Sequence, residues 1–155
     1  MQNIDDFKAR IKKAQDAMKE FGLGAIVLEP GAAMSYLTGV RWGKSERSFL
    51  LVIPAKGDPA WVLPAFEEER ARELIKVGND IRVWQEDESP FALAAQAIKD
   101  RGVTSGRVGM DEGLRFFIYN GIKANASQLD YVNATPALKS AGVDLTQPAG
   151  RGRGK

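Results

Sequence analysis

A possible phosphate-binding loop lies at residues 39–45, where the chain reads Gly-Val-Arg-Trp-Gly-Lys-Ser. A Walker loop has four residues between its first glycine and the Gly-Lys-[Ser/Thr] triplet, so that successive backbone amides curl around a phosphate. Here three residues separate Gly39 from Gly43. The triplet also leads into an apolar, strand-like run at residues 48–54 instead of a helix whose N-terminus could face the anion. The spacing and the context therefore argue against a nucleotide site.

Histidine and cysteine are both absent from the chain. A Ser-His-Asp triad, a histidine general base, a histidine-ligated metal and a zinc–thiolate site are therefore excluded within it. Carboxylates and lysines remain, so acid–base catalysis as such is not excluded. We predict no catalytic residue and no metal ligand in this chain.

Two acidic runs could in principle supply oxygen ligands to a cation, at residues 67–69 (Glu-Glu-Glu) and 86–88 (Glu-Asp-Glu). Three consecutive side chains on a helix point around its axis instead of toward one spot. Both runs also precede or open predicted helices, where negative charge is favourable. Solvated helix ends are therefore favoured over cation sites.

The three tryptophans fall into two groups. Trp61 and Trp84 occupy strand-like positions and are predicted to lie in the core. Trp42 lies between an arginine and a glycine in a polar segment, where burial explains a large aromatic side chain less easily. Such residues often mark contact surfaces, so Trp42 is a candidate for a substrate pocket or an interface.

Three further side chains complete the candidate set. Arg47 carries a planar fork suited to a carboxylate, so it could hold a substrate carboxylate or pair with Glu46 or Glu67; the structural pair is the favoured alternative. Ser45 lies beside it in the same polar segment. Tyr36 lies on an apolar segment, and a core residue is a better interpretation of it than a catalytic acid.

The composition is that of one ordinary folded domain, with 155 residues, 44% of them hydrophobic and 27% charged. The formal net charge is +2, but three positive charges lie in the terminal Arg-Gly-Arg-Gly-Lys, so the rest of the chain is close to neutral. A basic face that would indicate nucleic acid is therefore not evident. No signal-peptide pattern and no apolar run near the ~20 residues of a membrane span is present. We expect a cytoplasmic protein that binds neither nucleic acid nor membrane.

The N-terminal segment predicts an amphipathic helix, with acceptor and acidic residues at its start and glycines at positions 22 and 24 to end it. Its apolar residues recur every three or four positions: Ile4, Phe7, Ile11, Ala14, Met18 and Phe21.

The remaining patterns predict alternating strands and helices. Apolar runs indicate strands at residues 25–28, 49–53, 60–63, 81–84, 107–110 and 129–132, and a hairpin turn at residues 56–59 (Lys-Gly-Asp-Pro). Helices are predicted at residues 65–76, 114–123 and after the Ser-Pro pair at 89–90, with a short helical segment near residues 34–37. We predict an α/β domain over residues 1–139, with a mixed central sheet, followed by a low-complexity or disordered tail at 140–155.

Three segments together resemble a known family. They are Met-Ser-Tyr-Leu-Thr-Gly at residues 34–39, Trp-Gly-Lys-Ser-Glu-Arg at 42–47 and Pro-Ala-Phe-Glu at 64–67. With the order of the elements, they look like the N-terminal domain of the creatinase/prolidase/aminopeptidase P family, most like its Xaa-Pro dipeptidases. The resemblance covers residues 4–139. It implies a three-layer α/β/α fold with a ribonuclease H-like motif.

The resemblance also implies a division of labour. Family members carry a C-terminal pita-bread catalytic domain, which is absent from this chain and in which a divalent metal (Mn, Co or Zn) can activate water. The N-terminal domain would assist dimer assembly and close the pocket around a peptide or small amide substrate. We therefore expect a non-catalytic domain, inert alone toward Xaa-Pro dipeptides, whose partner is a second copy or a pita-bread domain. A stand-alone ligand-binding or regulatory module that uses residues 42–47 is the alternative.

Overall fold

The computed structural model describes residues 3–146 and contains a six-stranded mixed sheet with helices on both faces. The strands lie in the order β4-β3-β2-β1-β5-β6. Their bounds are β1 (Leu23–Leu28), β2 (Leu50–Pro54), β3 (Ala60–Pro64), β4 (Asp80–Trp84), β5 (Arg107–Met110) and β6 (Asp130–Asn133). The predicted α/β fold with a mixed sheet and a β2–β3 hairpin is therefore confirmed.

Within residues 3–146, six α-helices pack on the sheet: α1 (Ile4–Glu20), α2 (Ala32–Thr38), α3 (Glu68–Leu74), α4 (Pro90–Asp100), α5 (Phe116–Asn125) and α6 (Thr135–Ser140). A short 3₁₀ turn at Ala65–Glu67 precedes α3. Buried residues of α1, α2, α3 and α6 pack on one face of the sheet, and those of α4 and α5 pack on the other. This division gives the predicted three layers. Among residues 3–146 no helix combines the length and apolar character that a membrane crossing requires.

Alternation along the strands produces the two cores. In β2, Leu51 and Ile53 face the α1 side, whereas Leu50 and Val52 face the α4 side. Because successive strand residues point to opposite faces, an unbroken apolar run is what a strand covered on both sides requires. Trp61 and Trp84 are both buried, as predicted.

The helix starts follow the predicted capping chemistry. Asn3 and Asp6 form a reciprocal capping box at the start of α1. At the start of α4, the Ser89 hydroxyl accepts the backbone N–H of Ala92 at 3.1 Å, and Pro90 occupies the first helical position. These bonds satisfy amides that have no partner within the helix.

Strand direction brings most of the strand ends to one edge of the sheet. Strands β1, β3, β4, β5 and β6 run parallel to one another, and β2 alone runs against them. The ends of five strands and the beginning of β2 therefore lie on the same side of the sheet, which we call the carboxyl edge. In open α/β sheets, ligands bind in crevices outside the carboxyl ends of strands.

Three predictions about the second half of the chain need correction. Helix α6 was not expected, and α5 begins at Phe116 instead of residue 114. The region predicted as a tail also starts later than residue 140, because Ala141 and Val143 are buried against the α1 side of the core. Residues 147–155 of that predicted tail lie outside the described residues.

The Tyr-Leu-Thr-Gly segment ends α2 through local packing. The Thr38 hydroxyl donates to the Met34 carbonyl at 2.6 Å and accepts the backbone N–H of Val40 at 3.2 Å. Gly39 has a φ of +80°, and a Cβ on it would lie 2.6 Å from Cζ of Phe7. Both its backbone conformation and its close contact with α1 therefore require glycine.

We predict that Gly39→Ala lowers the free energy of unfolding by about 2–4 kcal/mol, from the left-handed backbone and the overlap with Phe7. Urea denaturation would measure the loss. Gly102→Ala is the matched control, because Gly102 also follows a helix with a φ of +86° but has open space around a Cβ. Its expected loss is about 1 kcal/mol. Equal losses at the two positions would show that the Phe7 contact contributes nothing.

Candidate functional site

Residues 39–49 connect α2 to β2 and cross the carboxyl edge; we call them the edge loop. Side chains anchor the loop at two places. Lys44 donates through Nζ to the Gly113 carbonyl at 3.2 Å, beyond the end of β5. Arg47 donates through Nε to Oε2 of Glu86 at 2.8 Å, beyond the end of β4. The loop therefore spans the sheet edge between those two connections.

Trp42 is the large aromatic side chain of the edge loop. It is half-buried and stacks on Phe49, with ring centroids 4.5 Å apart and planes 22° apart. Phe49 in turn meets Trp61 edge-to-face at 5.9 Å. The Arg70 guanidinium lies 5.9 Å from the Trp42 ring. Core packing therefore fixes the Trp42 ring, while part of its surface stays exposed.

Arg47 pairs with Glu86 and with neither of the two carboxylates considered from sequence, Glu46 and Glu67. The hydrogen bond to Glu86 raises the pKa of the Arg47 guanidinium. The same guanidinium lies 5.3 Å from the ring of Phe66, whose surface is 79% exposed. Arg47 Nη1 and Nη2 donate to no residue within 3–146, so this half of the fork remains available to a ligand.

A cleft of about 570 Å³ opens at this point of the edge. Its lining residues are Arg47, Ala65, Phe66, Trp84, Gln85 and Glu86. A guanidinium beside an exposed aromatic ring suits a ligand that combines a carboxylate with an apolar group.

Ser45 shapes the loop instead of presenting a free hydroxyl. Its Oγ accepts the backbone N–H of Arg47 at 3.1 Å and donates to the Arg47 carbonyl at 3.2 Å. The Ser45 carbonyl accepts Nη2 of Arg115 at 2.8 Å. The residue therefore acts through its backbone and a local turn.

The buried Glu29 pairs with the partly exposed Arg115 beneath the edge loop, and the sequence patterns do not predict this ion pair. Glu29 follows β1 and is completely buried. Its Oε1 accepts the Arg115 backbone N–H at 3.0 Å, and its Oε2 accepts Nε at 2.8 Å and lies 2.6 Å from Nη2. A glutamate directly after a buried strand was the available sequence signal, because a buried carboxylate needs a cation.

Asp111 lies beside this pair at the end of β5. Its carboxylate accepts the backbone N–H of Gly113 at 3.3 Å. Burial raises the pKa of Asp111, although this hydrogen bond and the positive charge of Lys44 partly oppose the shift.

The structure does not bring Tyr36 to the edge loop. Tyr36 is half-buried on α2, and its ring lies 4.0 Å from the guanidinium of Arg10 on α1. Arg10 also donates to the Tyr36 carbonyl at 2.7 Å. Tyr36 therefore contributes to the packing of the two helices, while Trp42, Ser45 and Arg47 share one loop.

The acidic runs form no metal site within the described residues, where no group of three or more Asp and Glu side chains could hold an ion. Glu86 pairs with Arg47, and Glu88 accepts the Gln85 backbone N–H at 2.7 Å. Glu67 Oε1 is buried and has no hydrogen-bond partner. The glycine-lysine-serine triplet does not bind as a phosphate loop either, because it opens no helix and leads into β2.

Comparison with known families agrees with this architecture. The model of the creatinase/prolidase N-terminal domain matches residues 10–141. The chain belongs to the creatinase/prolidase N-terminal domain family. This finding confirms the resemblance carried by residues 34–39, 42–47 and 64–67.

Relatives of this creatinase/prolidase N-terminal domain are longer proteins. A Schizosaccharomyces pombe protein named as an uncharacterized peptidase is 32% identical over 133 residues, which cover 77% of this chain and 28% of the yeast protein. The crystal structure of dipeptidase PepE from Mycobacterium ulcerans superposes with a TM-score of 0.77 at 26% identity, over 90% of this chain and 37% of PepE. The chain therefore spans about a third of the length of these relatives.

The solved N-terminal domain of an Xaa-Pro dipeptidase from Lactobacillus brevis shares the fold. It superposes with a TM-score of 0.75 at 22% identity, over 84% of this chain and 98% of that domain. The creatinase/prolidase N-terminal domain thus corresponds in extent to a domain solved by itself.

We predict that Arg115→Ala lowers the free energy of unfolding by about 2 kcal/mol, because it leaves the Glu29 carboxylate buried without its cation and the Ser45 carbonyl without its donor. Urea denaturation would measure the loss. Arg47→Ala is the control: it removes an exposed ion pair and should cost less than Arg115→Ala. A loss for Arg115→Ala no larger than that of the control would contradict the supporting role of the buried pair.

Proposed function

We propose that this creatinase/prolidase N-terminal domain is the non-catalytic part of a dipeptidase-type hydrolase. Its carboxyl edge faces the substrate pocket of a pita-bread catalytic domain, where it closes the pocket and takes part in dimer assembly. The observation that carries the proposal is the anchored edge loop, which holds Arg47 beside the 79% exposed ring of Phe66.

The exposure of Phe66 supports a contact surface. Aromatic residues such as phenylalanine are enriched at protein interfaces, and most of the Phe66 ring is exposed. Phe66 follows β3 and Arg47 precedes β2, so both residues lie at one edge of the sheet. The ion pair with Glu86 holds the Arg47 side chain, which reduces the entropy that would be lost when a substrate or a second domain packs on it.

The chemistry of hydrolysis is assigned to the partner domain. The described part of this chain offers no carboxylate cluster that fits a metal ion. Any divalent metal (Mn, Co or Zn) and the contacts with the scissile bond of a peptide or small amide substrate therefore belong to the catalytic domain. Within this chain, Arg47 would orient a substrate carboxylate, and Trp42 and Phe66 would exclude water.

A chimera tests this proposal. Residues 3–146 would replace the corresponding N-terminal domain of M. ulcerans PepE, and the chimera is expected to hydrolyse dipeptides as a dimer, measured by turnover and light scattering. Arg47→Ala in the chimera should lower kcat/KM about tenfold through the loss of a charged hydrogen bond. This chain alone, with dipeptide and manganese or cobalt, should show no turnover.

Arg72→Ala is the matched control in the chimera, because Arg72 is also exposed and its Nε also lies 2.8 Å from a carboxylate oxygen, that of Glu68. It should leave kcat/KM unchanged. Equal effects of the two substitutions would refute a substrate-facing role for Arg47. Chelator-resistant turnover by the purified chain alone would refute the non-catalytic assignment.

The 570 Å³ cleft beside Arg47 favours one alternative, a stand-alone module that binds a small carboxylate. This alternative predicts that N-acetylproline raises the Tm of the isolated chain and that Arg47→Ala abolishes the rise, because a ligand stabilises the state it binds. The main proposal predicts no rise, since the rest of the substrate pocket would lie in the partner domain. Differential scanning fluorimetry over a range of ligand concentrations separates the two.

A further inference from the structure

A second cleft, of about 390 Å³, lies where β5 and β6 end. Three aromatic residues, Phe116, Tyr119 and Tyr131, line it together with the acidic residues Asp111 and Glu112. Neither the edge loop nor the proposed role in pocket closure accounts for this combination.

The three aromatic rings are adjacent to one another but lie at different angles. The Tyr119 and Tyr131 rings are 5.7 Å apart and nearly perpendicular, at 88°, and Phe116 lies 6.0 Å from Tyr119 at 43°. The Tyr131 hydroxyl donates to the Ala126 carbonyl at 2.6 Å, which fixes that ring. Burial raises the pKa of Tyr131 to about 12, so its phenol stays neutral. Phe116 is 72% exposed, so this large apolar side chain is not part of the core.

The carboxylates add negative charge at the same place. Glu112 accepts Oγ1 of Thr135 at 2.7 Å and Nδ2 of Asn133 at 3.5 Å, and the bond from Thr135 is the main reason why its pKa is lowered. Asp111 is held by the Gly113 N–H. Neither carboxylate forms a salt bridge with a residue in the described range.

We propose that this cleft binds an organic cation of the alkylammonium class. Aromatic faces attract a cation within about 6 Å of the ring centroid, and they accept its alkyl groups where a small, strongly hydrated metal ion would lose its water ligands without replacement. Two carboxylates complement the charge. An anion would be repelled by them, and a neutral apolar ligand would bury them against a surface that offers no hydrogen bonds.

Lys123 lies near these rings, with Nζ 5.7 Å from the Tyr119 centroid. It is not among the residues that line the cleft. The Tyr119 ring is thus already near one cation of this chain, Lys123. That lysine does not fill the cleft, which stays open to a ligand.

The probe for the proposal is choline, with 3,3-dimethylbutan-1-ol as its neutral isostere. Titration of the full ¹⁵N-labelled chain should give saturable amide shifts at Asp111, Phe116 and Tyr131 with choline. The isostere should bind about tenfold more weakly, because it loses the cation–π and carboxylate attraction. Equal affinity for the two compounds, or no saturable shift with choline, would overturn the proposal.

Phe116→Ala should weaken choline binding about threefold or more, through the loss of one ring face at an exposed site that folding does not need. Phe21→Ala is the control: its ring is also exposed but lies outside this cleft, and the substitution should leave choline affinity unchanged. Equal losses in both variants would show non-specific adsorption to exposed aromatic rings and would reject the site. Because Arg47 has no part in these measurements, the result is independent of the proposed role in pocket closure.

Discussion

The buried charge of Glu29 is the constraint on which the carboxyl edge depends. Glu29 is fully buried at the end of a central strand, and burying a carboxylate there costs free energy unless a cation and hydrogen bonds compensate it. Arg115 supplies the guanidinium and its own backbone N–H, and its extended backbone delays the start of α5. The same guanidinium reaches the Ser45 carbonyl. The Glu29–Arg115 ion pair therefore determines the path of the β5–α5 connection and holds the edge loop close to the end of β1.

Strand direction explains why the edge loop exists. If β2 ran parallel to its neighbours, the chain would enter it from the opposite side of the sheet. Because β2 is antiparallel to β1 and β3, its entry segment shares a side with the connections that leave the other five strands. Three connections that are distant in sequence are thereby brought within reach of Arg47, Lys44 and Arg115. The antiparallel direction of β2 is thus the reason why the residues of the candidate site lie together.

The sequence predicts the parts of this fold that depend on local physics. Periodicity locates the strands and most helices, since burial on one or both faces imposes a repeat. Caps at Asn3 and Ser89 follow from short-range hydrogen bonding. Helix α6 escaped prediction because, with six residues, it is too short to display a periodic apolar face. Its stability comes from tertiary contacts of Ala137 and Leu138.

The candidate site could be predicted only in part, for a related reason. Trp42, Ser45 and Arg47 are adjacent in sequence, and their polar setting marked them as a group. The partners that determine their behaviour are remote: Glu86 is 39 residues from Arg47, and Arg115 is 86 residues from Glu29. The local sequence therefore offers only Glu46 and Glu67 as structural partners for Arg47, beside a substrate carboxylate, and Glu86 is not among them. Ion pairs between side chains of different connections depend on the order of the strands in the sheet. No single segment of the sequence specifies that order.

Asp111 connects the aromatic cleft to the edge loop through Gly113. Its carboxylate accepts the Gly113 N–H, and the Gly113 carbonyl accepts Lys44 of the edge loop. Lys44 also lowers the pKa of Asp111 through its charge, against the larger effect of burial. A cation bound beside Asp111 would take over part of the attraction that now acts on Lys44. The aromatic cleft and the edge loop therefore share a hydrogen-bonded series of three residues, Asp111, Gly113 and Lys44.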